Sequence, residues 1–328
     1  MLTTIDSEKS CHMPWLQHFP VALFASVMGL CGLSLAWAKA ELVFALGFAP
    51  SGALLGLTTV WFVLLTGLYL LKVVRHPAEV LSELRHPVKL AFVPGFSIGL
   101  ILLSVGYLPL APQLSLWLWS AGALIHLALT VFVVSSWVNH THYEVAHLNP
   151  AWFIPVVGNI MVPIAGVQHA PPEISWFFFS LGWFFWPVLS AILLYRLIFH
   201  PALPAALRPT LFIFMAPPAL GCISWLALNG SVDAFARFQH SVAVGFAFLL
   251  VGQDHRFLRI PFALSWWAYS FPMAALTIAS LLMANASDWP VYAWLAKALL
   301  GLTSMLVLML VWRTACAAWR GEVCVPGS

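Results

Sequence analysis

Charge is what this 328-residue chain has least of: 8% of its residues are Asp, Glu, Lys or Arg, against about 25% in an ordinary soluble domain. None of the eleven Asp and Glu residues lies in the interior of a long apolar run. That removes the buried carboxylates with which proton relays and cation-coupled carriers normally work. Cysteine is sparse too. Cys11, Cys31, Cys222, Cys316 and Cys324 form no CxxC pair, which gives neither a disulfide framework nor a thiol redox site. No phosphate-cradling glycine loop, nucleophile with its base or paired carboxylate site is present. No cofactor is expected, and the slight basic excess suits lipid headgroups better than nucleic acid.

What the chain has in abundance is hydrophobicity, at 62% of residues. A membrane-spanning helix needs about 20 mostly apolar residues, and ten such runs occur, near 16–38, 44–71, 87–107, 113–138, 150–167, 173–198, 205–228, 233–252, 261–284 and 289–315. The connections are short. The chain therefore divides into an N-terminal segment (1–15), a ten-helix membrane domain (16–315) and a C-terminal segment (316–328), all-α throughout. The first run lacks a small-residue cleavage site and is read as a retained helix, not a signal peptide. Alternate connections put Lys9, Lys72, Arg75, Arg85, Lys89, Arg196, Arg208, Arg256, Arg259, Arg313 and Arg320 on one side, and only Lys39 and Arg237 on the other. The positive-inside rule then places both termini in the cytoplasm.

Prolines are distributed unevenly among these runs. Pro94, Pro155, Pro163, Pro217, Pro218 and Pro272 lie well inside odd-numbered spans, whereas the even-numbered spans hold one comparable case, Pro187. A proline within a helix loses a backbone hydrogen bond and bends it, and lipid tolerates that only where neighbouring helices or a watery cavity satisfy the freed group. Bent odd helices inside and straighter even helices outside follow, as five helical hairpins about one axis.

Five segments carry a resemblance to a known family. They are Gly32-Leu-Ser-Leu-Ala-Trp37, Arg85-His-Pro-Val-Lys-Leu-Ala-Phe92, Asn149-Pro-Ala-Trp-Phe-Ile-Pro-Val-Val-Gly-Asn159, Met215-Ala-Pro-Pro218 and Trp266-Trp-Ala-Tyr-Ser-Phe-Pro-Met273. In order and spacing they resemble the tellurite-resistance/dicarboxylate transporter family, which takes in TehA-like proteins and the slow anion channels of plant guard cells. The resemblance implies five inner helices around a central pore, five outer helices, and a homotrimer with one pore per subunit; the expected location is the cell inner (plasma) membrane. It also implies that Phe271, in Ser-Phe-Pro-Met, occludes the pore, and that Phe24 offers a second pore-facing aromatic. Ala25 stands where the family commonly has glycine.

Phe271 has a reading of its own. Pro272 biases the residue before it away from regular helix, and a ring projecting inward there would close a narrow path by excluding water. Arg85, Lys89, Arg208, Arg256 and Arg259 would make a basic cytoplasmic mouth that concentrates anions. Lys297, two turns into the last span, is read as an anchor or subunit contact. His140, His142 and His147 could offer ligands to a metal but read as a solvated loop, and His126 as a packing residue. The leading expectation is a passive channel for small anions. The alternative is a secondary transporter or exporter of C4-dicarboxylates such as malate, or of sulfite or tellurite-related oxyanions, with a metal-dependent membrane enzyme far behind.

Overall fold

The computed structural model describes residues 14–139, 143–252 and 261–325. Among these residues every regular element is helical. Ten helices are long and apolar enough to cross a membrane: Val21–Phe44, Pro50–Arg75, Lys89–Tyr107, Pro112–Asn139, Pro150–His169, Pro172–Phe199, Ala205–Asn229, Ala234–Val251, Leu264–Asn285 and Pro290–Trp319.

Odd and even spans differ in kind. Between 67% and 89% of the most apolar window of each odd span is buried, against 22% to 33% for each even span. The odd spans also touch one another in a closed ring: first to third, third to fifth, fifth to seventh, seventh to ninth, and ninth back to first. Each even span packs on the odd span before it. The expected inner and outer sets are therefore present.

The prolines act differently from the expected kinks. Each odd span mixes 3-10 turns with α-helix: Val21–Leu23, Lys89–Phe92, Gly158–Met161, Ala205–Met215 and Leu264–Tyr269 are 3-10 segments. Pro94 is the N-cap of the α segment Gly95–Tyr107, and Pro163 opens Pro163–His169. Pro155, Pro217, Pro218 and Pro272 fall at the second or third position of theirs. The first amides of an α segment have no acceptor within it, so a proline there removes no α-helical hydrogen bond. The prolines start α segments instead of bending continuous ones. Only Pro187 sits inside an unbroken α-helix.

The breaks leave carbonyls that lipid cannot satisfy, and neighbours supply donors. On the fifth span, the Thr130 hydroxyl of the fourth span donates to Pro155 O (2.6 Å), and Trp119 Nε1 adds a second donor (2.9 Å) to Val162 O, which also holds the Gly166 amide (3.1 Å). Ser224 of the seventh span donates to Ile160 O. Asn159 Nδ2 donates in turn to the Thr130 hydroxyl at 2.9 Å.

The first span also departs from expectation. It runs to Phe44, past Lys39 and Glu41, and stops where Ala45 turns left-handed (φ 48°) with its amide on Glu41 O. The second span starts six residues beyond its predicted place, at Pro50. Helix geometry set this end, and the two charges ride on its last turns. Glu41 and Glu173 are the carboxylates that fall within span limits, both in terminal turns. The connection after the second span holds a further helix, Pro77–Arg85.

First and ninth spans approach closest where the first has Gly29 and Gly32. A Cβ at Gly29 would stand 2.7 Å from Ser270 Cβ, and one at Gly32 would stand 2.8 Å from Ala274 Cβ. Gly29→Ala is expected to cost about 1–3 kcal/mol as overpacking. Gly301→Ala, with open space around it, should be neutral or stabilise the helix by up to about 1 kcal/mol. Melting temperatures of the two purified variants check this; equal values would contradict the close crossing.

Candidate functional site

Two cavities lie along the axis of the ring of odd spans. The proximal one, about 500 Å³, is bounded by the starting halves of the odd spans, with Ala25 and Met28 of the first, Phe92 of the third, Ile154 of the fifth, Ile213 of the seventh and Ala268 of the ninth. The distal one, about 440 Å³, is bounded by their finishing halves, with Leu35, Leu102, Ile164, Ile223 and Ala275 in the same order. All five odd spans line both, and no even span lines either.

Among the described residues one side chain lines both cavities: Phe271. Its position follows from local structure. The ninth span passes from 3-10 (Leu264–Tyr269) to α at Ser270, and Phe271 is the second residue of the new segment, followed by the fixed φ of Pro272. The ring is 8% exposed, and Gly32 of the first span leaves room for it; a Cβ there would lie 3.4 Å from Phe271 Cδ2. Below the ring Pro272 and Ala268 face the proximal cavity, and above it Ala275, Ile278 and Leu282 continue one helical face along the distal cavity.

The other residues singled out from the sequence scatter. Ala25 and Pro272 line the proximal cavity, whereas Pro94, Pro155, Pro163, Pro217 and Pro218 line neither cavity. Phe24 also lines neither and is a correction. It is buried edge-on against Phe62, Tyr69 and Phe96, with centroid distances of 6.1, 6.0 and 5.6 Å. One residue of helical rotation separates it from Ala25, so the small residue faces the axis and the aromatic one faces the second and third spans.

The basic mouth is thinner than expected. Lys89 lines the proximal cavity, but so do Glu83 and Glu322. Arg85 is exposed at the end of its short helix. Arg208 lines a separate cleft between the sixth, seventh and eighth spans, its Nε donating to Leu203 O at 3.3 Å. Arg256, Arg259, His140 and His142 lie outside the described residues. His147 accepts a bond from the Glu144 amide at its own Nδ1 (3.1 Å). Partial burial, then Lys89 and His147, hold His86 below the usual histidine range, so it adds no cation at neutral pH. Lys297 sits over the ring of Phe44 at 4.9 Å and over Trp294 at 5.7 Å, tying the tenth span to the end of the first. His126 is fully buried, its Nδ1 2.9 Å from the Ser97 hydroxyl.

Sequence reading missed an ion pair beside the proximal cavity. Lys72 Nζ donates to Glu83 Oε1 (2.7 Å) and to Phe19 O (2.8 Å), while the Tyr69 hydroxyl donates to Glu83 Oε2 (2.9 Å). Lys72 is 1% exposed. Spaced eleven residues apart across a helix boundary, the pair left no pattern to find. The segment after the tenth span was missed as well: Glu322, Val323 and Val325 return to line the proximal cavity. Burial pushes the Cys324 thiol up in pKa, partly offset by Lys72.

A buried ring of five broken helices, jacketed by five unbroken ones and enclosing two axial cavities, defines a multi-span membrane protein built around its own axis. The sequence relationships agree. The chain belongs to the SLAC1 family of voltage-dependent anion channels, whose family model matches residues 18–315. Similar proteins include the S-type anion channel SLAH3 of Arabidopsis thaliana, 27% identical over 278 residues covering 82% of this chain and 43% of that one. The uncharacterized transporter MJ0762 of Methanocaldococcus jannaschii is 26% identical, with 78% and 82% covered. The tellurite resistance protein TehA homolog of Haemophilus influenzae is 25% identical, with 78% and 79% covered. The chain spans 43% and 53% of the plant relatives SLAH3 and SLAH2.

Removing one partner of the buried pair is expected to be severe. Glu83→Gln leaves the Lys72 ammonium uncompensated and should cost about 3–5 kcal/mol, whereas Lys72→Met with Glu83→Leu should recover most of it. Thermal denaturation of the single and double variants measures both; a double variant no better than the single one would show that the pair is not coupled.

Proposed function

We propose that the chain conducts small anions passively along the axis of the ring of odd spans, and that the Phe271 ring is the gate that closes the path. The carrying observation is that Phe271 is the one described side chain shared by the two axial cavities. An apolar ring between two cavities excludes water and so stops ions, since an ion cannot shed its hydration shell against a surface that offers no replacement. The relatives bearing anion-channel names support the substrate class. In this reading the proximal cavity faces the cytoplasm, both termini are cytoplasmic, the cell's inner (plasma) membrane holds the protein, and it assembles as a homotrimer with one path per subunit.

Passive conduction is favoured over proton-linked dicarboxylate transport by the position of the carboxylates. Among the described spans Glu41 and Glu173 occupy terminal turns only, and Glu41 is engaged with Ser51 at 2.9 and 2.7 Å. A proton relay along the axis would need titratable groups at depth on the path, and the buried His126 and His240 line neither axial cavity. The apolar cavity walls also cannot strongly replace an anion's hydration shell. Iodide and nitrate should therefore permeate better than chloride, with sodium and potassium excluded. Bi-ionic reversal potentials measure the order, and chloride passing better than iodide would contradict it. Uphill malate accumulation driven by a proton gradient in proteoliposomes would replace this reading with the transporter.

Phe271→Ala is the direct test of the gate. Conductance should rise while stability stays close to wild type, because the ring, though buried, borders two existing cavities that its removal would merge. A ring that held the helices together would instead leave a void costing about 3–5 kcal/mol. Currents in bilayers beside the melting temperature separate the two; a destabilised and still closed variant would remove Phe271 as the gate.

A further inference from the structure

The two cavities differ in charge. The proximal one combines Lys89 with Glu83 and Glu322. The distal one has a single charged residue among the described residues lining it, Lys39. Lys39 stands on the same face of the first span as Gly32, Leu35 and Leu42, which also line that cavity. Seven residues beyond Gly32, it is about 10 Å above the level where Phe271 meets the first span, at 1.5 Å of rise per residue.

The nearby carboxylates are occupied elsewhere. Glu41 receives the Ser51 amide and hydroxyl at the start of the second span. Asp233 receives Ala236 N at 2.9 Å and Trp225 Nε1 at 3.0 Å, capping the eighth span. Neither lines the cavity, and Lys39 makes no ion pair among the described residues. A lysine that only anchored the helix would extend toward headgroups. This one borders a cavity closed on its other sides by the third, fifth, seventh and ninth spans, with Asn285 and Ser231 also on its wall.

We propose that Lys39 is an anion-recruiting residue of the distal vestibule: a fixed ammonium that holds a small monovalent anion, such as nitrate or chloride, above the Phe271 constriction. The proposal rests on the conduction reading for its consequence and on the cavity for its site. A unit charge about 10 Å from the constriction changes the local anion population about twofold to fifteenfold for effective dielectric constants between those of water and a protein surface. Salt screens that field, because the Debye length falls from about 30 Å at 0.01 M to about 3 Å at 1 M. Among the described residues of the proximal lining, Lys89 stands with Glu322 while Glu83 is already paired with Lys72, so that wall carries no net excess of positive charge. Anion flux at low salt should therefore be asymmetric, higher when the anion is supplied from the distal side.

The test compares wild type, Lys39→Gln and Lys39→Arg in planar bilayers. Nitrate is supplied at low concentration from one side, then from the other, then at high ionic strength. Lys39→Gln should lose about twofold to fifteenfold of the conductance for nitrate supplied distally, with little change for proximal supply and convergence at high salt. Lys39→Arg should behave as wild type. Unchanged low-salt conductance in Lys39→Gln, or an equal loss from both sides at all salt concentrations, would overturn the proposal. Nitrate-dependent thermal stabilisation of the purified proteins keeps the two readings apart. If wild type passes no anion but nitrate raises its melting temperature and not that of Lys39→Gln, the conduction reading fails and the site stands. Equal stabilisation of both variants would sink the site whatever the currents show.

Discussion

Within a bilayer a backbone carbonyl that loses its helical partner must find another inside the protein, since the hydrocarbon offers none. The fifth span shows how far that constraint reaches. Its carbonyls at Pro155 and Ile160 receive hydroxyl donors from Thr130 and Ser224 of the fourth and seventh spans. Such a helix cannot face lipid, and 89% of its most apolar window is buried. The same holds for each odd span that mixes 3-10 and α turns. Broken helices must be enclosed, unbroken ones can enclose them, and five of each close into a ring within a jacket. Irregular backbone at membrane depth is also what lets the odd spans splay enough to leave cavities on their axis.

The partition between those cavities depends on a second close fit. Gly29 and Gly32 let the first span approach Ser270 and Ala274 of the ninth. That crossing sets the ninth span where its change from 3-10 to α presents Phe271 to the axis. Electrostatics then divides the two sides. At the proximal end Lys72 and Glu83 neutralise each other in a fully buried pair held further by Tyr69 and Phe19. At the distal end Lys39 stands without an ion-pair partner among the described residues. Apart from Glu83, Lys89, Glu322 and Ser265 proximally and Lys39, Ser231 and Asn285 distally, both cavities are walled by apolar side chains, as suits a path that offers weakly hydrated ions no strong binding.

Much of the architecture was legible in the sequence because apolar run length and proline placement report directly on burial and helix continuity. Six prolines in odd spans against one in even spans identified the inner set, although their role as starters of α segments was not visible without the 3-10 turns before them. Phe271 was singled out through the family resemblance of the Trp-Trp-Ala-Tyr-Ser-Phe-Pro-Met stretch, with Pro272 beside it as a local mark of its own. Phe24 was misplaced because one residue of helical rotation decides between axis and outer helix, and 24 phenylalanines carry no label of direction. Arg208 and Glu83 were beyond reach for a similar reason. A count of charges per side says nothing about which of them a cavity, a cleft or an ion partner will take.

The sidedness of thiol labelling across Phe271 is the most direct measurement of the axial path. Single cysteines would replace Ala25 or Met28 in the proximal cavity and Leu35 or Ala275 in the distal one, in a background freed of native thiols. With the ring in place, a charged, membrane-impermeant thiol reagent should modify the first pair from one side of the membrane only, and the second pair from the opposite side only. Modification of all four positions from a single side would show that the phenylalanine does not divide the path. Modification of none from either side would show that the cavities do not open to water, and would contradict conduction along this axis.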